Sequence, residues 1–118
     1  MLMKIETELL QQLETEIRDL TTEYIECRNR HLGISAGSRT FMMLNRFGPM
    51  ETAARLIMRS SKEGLKFLHS IKRLDLAIET VVIKETYAPL FKDKQHVLMR
   101  ARTNLKAIID PELQVPQV

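Results

Sequence analysis

The fold is decided by residues 10–31, which read LQQLETEIRDLTTEYIECRNRH. Apolar or semi-apolar side chains recur there at alternating intervals of three and four residues, at Leu10, Leu13, Ile17, Leu20, Tyr24, Cys27 and His31. A 3.5-residue repeat over about three heptads is typical of a coiled-coil seam or of one helix in a long antiparallel hairpin. Because no glycine or proline interrupts residues 3–31, the pattern predicts one long amino-terminal helix.

The length of this helix suggests that part of it needs a partner. At ~1.5 Å per residue, about 28 residues reach about 42 Å, which is longer than the body of so small a domain. We therefore predict an interaction seam, which comprises Leu10, Leu13, Ile17, Leu20, Tyr24 and Cys27. Ile5, Leu9 and Ile25 flank this seam and widen the apolar face. The seam pairs either with the protein's own bundle or with a second copy or another protein, and both alternatives stay open.

Helix breakers divide the next part of the chain into two short helices. Gly33 ends the first helix, and Ser38 is a suitable N-cap for a second helix over about residues 39–47. The Gly48-Pro49 pair then separates that helix from a third one over about residues 50–60, because proline is well tolerated in a first helical turn.

The remaining segments also predict helices. After a loop at 61–64, a fourth helical piece ends near residues 72–73, and Asp75 is the expected cap of a fifth. Pro89 ends that region, and Asp93 is the expected cap of a last helix that runs to about Ile109.

The sequence thus predicts an all-α fold, with a long heptad-patterned helix and a compact bundle of about four or five short helices. The run Thr80-Val81-Val82-Ile83 has strand propensity, but no partner strand is visible, so helix is preferred. We expect a single helical domain over residues 1–118, with a long acidic, coiled-coil-like helix at 1–31. A basic helical body would follow at 35–109 and a loose tail at 110–118.

Composition excludes several classes of protein. With 118 residues, 44% of them hydrophobic and only four glycines and four prolines, the chain is neither disordered nor fibrous. The single cysteine, Cys27, excludes an internal disulfide framework. No apolar run is long enough for a bilayer, and the first residues lack a secretory pattern, so we expect no membrane contact and a reducing, bacterial-type cytoplasm.

Charge is distributed unevenly along the chain. Up to Glu26 there are seven acidic and two basic residues, a net charge of −5, whereas the remainder has 16 basic and eight acidic residues, a net charge of +8. A basic body suits nucleic acid, and it equally suits the acidic segment of another copy or of another protein.

A DNA-binding interpretation rests on the arginines of the basic body. The Gly48-Pro49 joint resembles a helix-turn-helix, but Leu44 stands where a small residue is expected and Glu51 opens the second helix, where it would repel phosphate. The candidate phosphate contacts are Arg39, Arg46, Arg55, Arg59, Arg100 and Arg102.

The sequence contains no pattern typical of catalysis. It lacks a glycine-rich phosphate loop, a nucleophile elbow and a spaced carboxylate pair in an apolar setting. We therefore expect no catalytic residue, metal site, cofactor or small-molecule substrate.

Residues from about Gly37 to Leu105 resemble a family of small bacterial all-helical proteins, or carboxy-terminal segments, of unassigned function. The resemblance is carried by Arg39–Leu44, Gly48-Pro49-Met50-Glu51-Thr52-Ala53-Ala54, Gly64-Leu65-Lys66-Phe67-Leu68, Arg73-Leu74-Asp75-Leu76-Ala77-Ile78-Glu79, Pro89-Leu90-Phe91 and Arg100-Ala101-Arg102. It implies one compact helical unit and no particular activity. Since an arginine can bridge two carboxylates, we expect Arg73, Asp75 and Glu79 to form a structural ion cluster.

These observations favour a non-catalytic helical module that binds proteins. It would self-associate, or dock onto a partner protein, through the amino-terminal helix. The alternative is a DNA-associated accessory protein that binds phosphates through its basic body.

Overall fold

The computed structural model describes residues 2–33, 39–59 and 62–110. All the secondary structure in these ranges is helical, which confirms the predicted all-α class. The α-helices are α1 (Leu2–Leu32), α2 (Arg39–Ile57), α3 (Glu63–Ser70), α4 (Ile78–Val82) and α5 (Gln95–Ile109). Two 3₁₀ helices, Leu74–Leu76 and Glu85–Phe91, lie on either side of α4 in the chain.

Helix α1 confirms the long helix predicted over residues 3–31. Its 31 residues give a length of about 46 Å, close to the longest dimension of the molecule, 48 Å. The helix ends at Gly33, whose positive φ of 64° suits glycine, and the Gly33 N–H donates to the Asn29 carbonyl over 3.0 Å.

Helix α2 contains the break predicted at Gly48-Pro49. Gly48 has φ 80° and ψ 174°, a combination accessible essentially to glycine alone. Since Pro49 has no N–H to donate, it fits the first turn after this break. The two predicted helices are therefore present as two halves of α2.

Two predicted caps are wrong. The residue before α4 is Ala77, in an extended conformation, whereas Asp75 lies inside the first 3₁₀ helix. Likewise, Lys94 precedes α5 without a side-chain cap, and Asp93 lies one residue earlier. Pro89, expected to end a helical region, lies inside the second 3₁₀ helix.

Two adjoining apolar clusters form the interior. The main core contains the buried residues Leu13, Ile17, Leu44, Ala53, Ile57, Val81, Val82, Tyr87, Phe91, Val97, Leu98 and Ala101. The minor core contains Cys27, Leu65, Leu68, Leu76 and Ala77. Helix α1 supplies buried residues to both clusters, and α5 also contacts both, through Val97, Leu98 and Ala101 on one side and Leu105 and Ile108 on the other.

Some predictions lie outside the described residues, namely the Ser38 cap and nearly all of the tail predicted at 110–118. Within the described part of the chain, no helix combines the length and the apolar character needed to cross a bilayer.

Candidate functional site

The middle of the predicted interaction seam belongs to the protein's own interior. Leu13 and Ile17 are fully buried in the main core and Cys27 is buried in the minor core, while Leu20 and Tyr24 pack against these clusters. Helices α2 and α4 and both 3₁₀ helices contact α1 and cover this face. Five of the six seam residues are therefore engaged within the chain, as in the alternative in which the seam packs along the protein's own bundle.

The apolar stripe continues beyond the part of α1 that the body covers. Ile5, Leu9 and Leu13 follow one another at intervals of four residues and so share one face of the helix. Their exposure falls along this line: Ile5 is 52% exposed, Leu9 is half-buried and Leu13 is fully buried. Leu10, the remaining seam residue, is also half-buried. We call residues 4–10 the amino-terminal arm.

Two polar contacts fix α1 to the body near the base of this arm. The carboxylate of Glu16 accepts hydrogen bonds from the ammonium of Lys84, at 2.8 Å, and from the hydroxyl of Tyr87. Burial alone would raise the pKa of Glu16, but these two hydrogen bonds outweigh it and hold the pKa below its ordinary value. Burial and the bond to Glu16 in turn raise the pKa of Tyr87.

The predicted ion cluster exists with a different second carboxylate. Arg73 Nε and Nη2 donate to the two carboxylate oxygens of Asp75 at 3.0 and 3.1 Å, and Nη2 also donates to Glu23 at 2.9 Å. The inclusion of Glu79 is wrong, because its side chain points into the interior and bonds to Asn104 instead. Thus part of the acidic charge of α1 is matched by the protein's own basic body.

A cavity of about 170 Å³ lies where the two apolar clusters meet. Leu20, Leu65 and Leu76 form part of its apolar wall. Thr21 and Glu79 also line the cavity and are 5% and 7% exposed. The Thr21 hydroxyl donates to the Ile17 carbonyl over 2.6 Å, so its hydrogen-bonding need is met within α1.

Glu79 is held in place by a buried amide. Asn104 Nδ2 donates to Glu79 Oε2 over 3.1 Å and to the Ile57 carbonyl over 3.0 Å. Asn104 Oδ1 accepts from Arg100 Nε over 3.2 Å, which fixes the orientation of the amide. Burial raises the pKa of Glu79, and its hydrogen bonds and the charge of Lys62 offset this only in part.

Cationic side chains border the same cavity at more exposed positions. Arg59 is exposed and Lys62 is half-buried, and both contribute to the lining together with Glu79. The hydroxyl of Tyr24 also lines the cavity and accepts a long hydrogen bond, 3.4 Å, from Arg28. The cavity therefore combines an apolar wall, one buried anionic group and two cationic groups closer to solvent.

The arginines expected to bind phosphate do not form one free patch. The Arg55 guanidinium lies 4.0 Å from the centre of the Phe47 ring, and its Nη2 lies 3.6 Å from Glu51 Oε1. Arg46 stacks on the same ring at 5.3 Å, and Arg100 is bonded to Asn104. The exposed members of the set without such a described contact are Arg39, Arg59 and Arg102.

Sequence reasoning missed the cavity and the role of Glu79. A signal was present, because Glu79 is the one charged residue in the otherwise apolar or hydroxyl-bearing run from Leu76 to Ile83. A carboxylate in such a run is typical of a buried, partnered acid. What the run did not reveal was its partner, Asn104, which lies 25 residues away.

No family model, curated protein or solved structure matches the chain. The resemblance to small bacterial helical proteins therefore remains a prediction. Within the described residues, no group of histidine, cysteine, aspartate or glutamate side chains has an arrangement that could hold a metal ion.

Proposed function

We propose that the protein is a non-catalytic helical interaction module that self-associates through its amino-terminal arm. The observation that carries this proposal is the rise in exposure from Leu13 through Leu9 to Ile5 along one continuous apolar stripe. The body covers the stripe only from about Leu9 onward. Ile5, at the exposed end of this stripe, is the apolar side chain that self-association would bury.

Charge complementarity favours a second copy as the occupant. Helix α1 keeps four exposed carboxylates that form none of the described ion pairs, namely Glu6, Glu8, Asp19 and Glu26. The body of the other copy presents exposed cations that likewise form none of these pairs, including Arg39, Lys66, Lys94 and Arg102. In a two-fold dimer, each arm would lie against the body of the other copy, so every contact would occur twice.

The surface involved is small, so we expect weak and salt-sensitive association. An arm of two helical turns buries less surface than a standard interface does. Interfaces this small are typical of weak complexes, with dissociation constants of about 1 μM or higher. Its charged contacts are exposed to solvent and are screened by salt.

The test is the solution mass of the full chain and two variants, measured by size-exclusion chromatography with light scattering. We expect the wild type to approach twice the chain mass of 13.7 kDa at about 100 μM chain. Ile5→Glu should return the mass to that of one chain. Ile109→Glu is the matched control, because Ile109 is also an exposed isoleucine, 53% against 52% for Ile5, but lies at the end of α5.

Two results would contradict self-association through the arm. A wild type that stays monomeric at this concentration would overturn self-association. Equal loss of mass in Ile5→Glu and Ile109→Glu would show that general surface hydrophobicity, rather than the arm, drives assembly. Circular dichroism of each variant confirms that the fold is retained, which we expect because both residues are exposed.

The DNA-associated alternative has fewer arginines available for phosphate contacts than the sequence predicts. Arg46, Arg55 and Arg100 are already in contact with side chains of their own chain. If it is correct, fluorescence anisotropy will detect duplex binding at about 50 mM salt, and affinity will fall steeply as salt is raised. An unchanged anisotropy at low salt would eliminate this alternative.

A further inference from the structure

The cavity beside Glu79 is partly open to solvent and has the exposed Arg59 in its lining. The cavity volume is about 170 Å³, whereas an engineered apolar cavity of about 150 Å³ is sufficient to bind benzene. The space therefore suits a molecule slightly larger than benzene.

The charges around the cavity define what such a molecule must carry. Glu79 is 7% exposed and supplies a carboxylate that is positioned by Asn104. Burying a carboxylate is costly unless a hydrogen-bond donor or a cation satisfies it. Asn104 and the charge of Lys62 offset this cost only in part, and an ammonium group of a ligand would add a hydrogen-bond donor and the opposite charge.

The cations that line the same cavity favour a ligand that also carries an anionic group. Arg59 and Lys62 line the cavity at more exposed positions than Glu79, and Lys62 is close enough for its charge to act on the Glu79 carboxylate. With these two cations and one anion, the lining has a net positive charge, so a purely cationic ligand is disfavoured. A ligand whose ammonium and carboxylate are close together matches the arrangement.

We infer that this cavity binds a small aliphatic α-amino acid. Its ammonium group lies against the Glu79 carboxylate, and its carboxylate lies toward Arg59 and Lys62. Its side chain packs on the apolar wall that includes Leu20, Leu65 and Leu76. This inference is independent of self-association, because none of these residues belongs to the amino-terminal arm.

Calorimetric titration of the full-length wild type with three related compounds tests the inference without any variant. L-leucine carries both charged groups, 3-methylbutylamine lacks the carboxylate and 4-methylpentanoate lacks the ammonium. We expect a dissociation constant for L-leucine below about 1 mM, and binding at least about tenfold weaker for each of the other two. No binding of L-leucine at about 10 mM would overturn the inference, as would equal binding of all three compounds.

Variants then assign the binding to this cavity. Glu79→Gln keeps an acceptor for Asn104 but removes the charge, so we expect L-leucine affinity to fall at least about tenfold. Lys62→Gln should also weaken L-leucine but should not weaken 3-methylbutylamine, because it removes a positive charge that disfavours a purely cationic ligand. Glu63→Gln and Lys66→Gln are the matched controls, because both residues are exposed on α3 and outside the cavity lining. Undiminished affinity in a folded Glu79→Gln protein would place the ligand elsewhere and overturn the inference.

Discussion

At the scale of single residues, Glu79 shows how a stable fold accommodates an unfavourable group. Its carboxylate lies in the interior with Asn104 as its described side-chain partner. Burial raises the pKa of Glu79, so the folded protein holds this proton more tightly than the unfolded chain does. At neutral pH, which lies above the ordinary pKa of 4.5, this difference therefore reduces the free energy of unfolding.

We predict that Glu79→Gln stabilises the protein at neutral pH. The amide oxygen can still accept from Asn104, while the cost of burying a charge disappears, so the gain should be about 1 kcal/mol. Because the folded-state pKa is raised, the gain should be largest above that pKa. It should vanish as pH falls below the ordinary value of 4.5, where the wild-type carboxyl is protonated in both states.

The free energy of unfolding, measured with urea at about pH 7 and about pH 4, tests this prediction. The exposed Glu63 provides the control, since Glu63→Gln should change stability little at either pH. A loss of stability in Glu79→Gln at neutral pH would contradict the prediction, because it would show that the Glu79 carboxyl group stabilises the folded state. A stabilised variant that no longer binds ligand would be the usual trade-off at a binding site.

At the scale of the elements, backbone geometry divides the helices. Gly33 and Gly48 both have positive φ, and in each case a Cβ atom would meet nothing within 4 Å. The requirement for glycine is therefore conformational rather than steric. Gly33 has the left-handed conformation of a helix end, whereas Gly48 pairs its positive φ with a ψ of 174°.

We predict that Gly48→Ala lowers the free energy of unfolding by about 1–3 kcal/mol, because a residue with a Cβ is strained in this conformation. Gly33→Asn should cost less, since asparagine tolerates the left-handed helix end. Chemical denaturation of both variants measures the difference. Equal stability of Gly48→Ala and wild type would show that the break relaxes to an ordinary helical geometry.

The element scale also shows why two predicted caps failed. Asp75 is a favourable cap by residue type, yet its carboxylate binds Arg73 within a 3₁₀ helix. Thr80, in α4, donates to the Leu74 carbonyl over 2.7 Å and closes the same turn. Capping rules consider residue type, and here local hydrogen bonds of a 3₁₀ turn engage the expected cap before α4 begins.

At the scale of the whole molecule, α1 has two parts with different roles. Its middle is the surface on which both apolar clusters form, and its first turns extend beyond them. The ion pairs of Glu16 with Lys84 and of Glu23 with Arg73 connect the acidic helix to the basic body. Part of the acidic charge of α1 is therefore matched within one chain.

We predict that truncations along one stripe of α1 separate these parts. Leu13→Ala should lower the free energy of unfolding by about 2–5 kcal/mol, because it removes buried side-chain atoms from the main core and leaves a cavity. Ile5→Ala should change the stability of the single chain by less than about 0.5 kcal/mol.

Urea unfolding at low protein concentration, where association is negligible, measures both variants. A small loss in Leu13→Ala would contradict the placement of this residue in the main core. A loss in Ile5→Ala as large as that in Leu13→Ala would show that the body also covers the arm.

The sequence by itself determined the all-α class, the extent of α1, the break at Gly48 and the apolar face that includes Leu13 and Ile17. These follow from local rules, since helical periodicity and the backbone freedom of glycine act over a few residues. Only the tertiary structure decided that the protein's own helices cover the middle of α1 and that Glu23 rather than Glu79 binds Arg73. It also placed Glu79, Arg59 and Lys62 around one cavity. Such contacts join residues far apart in the chain, and a one-dimensional pattern shows which face is apolar but not what packs against it.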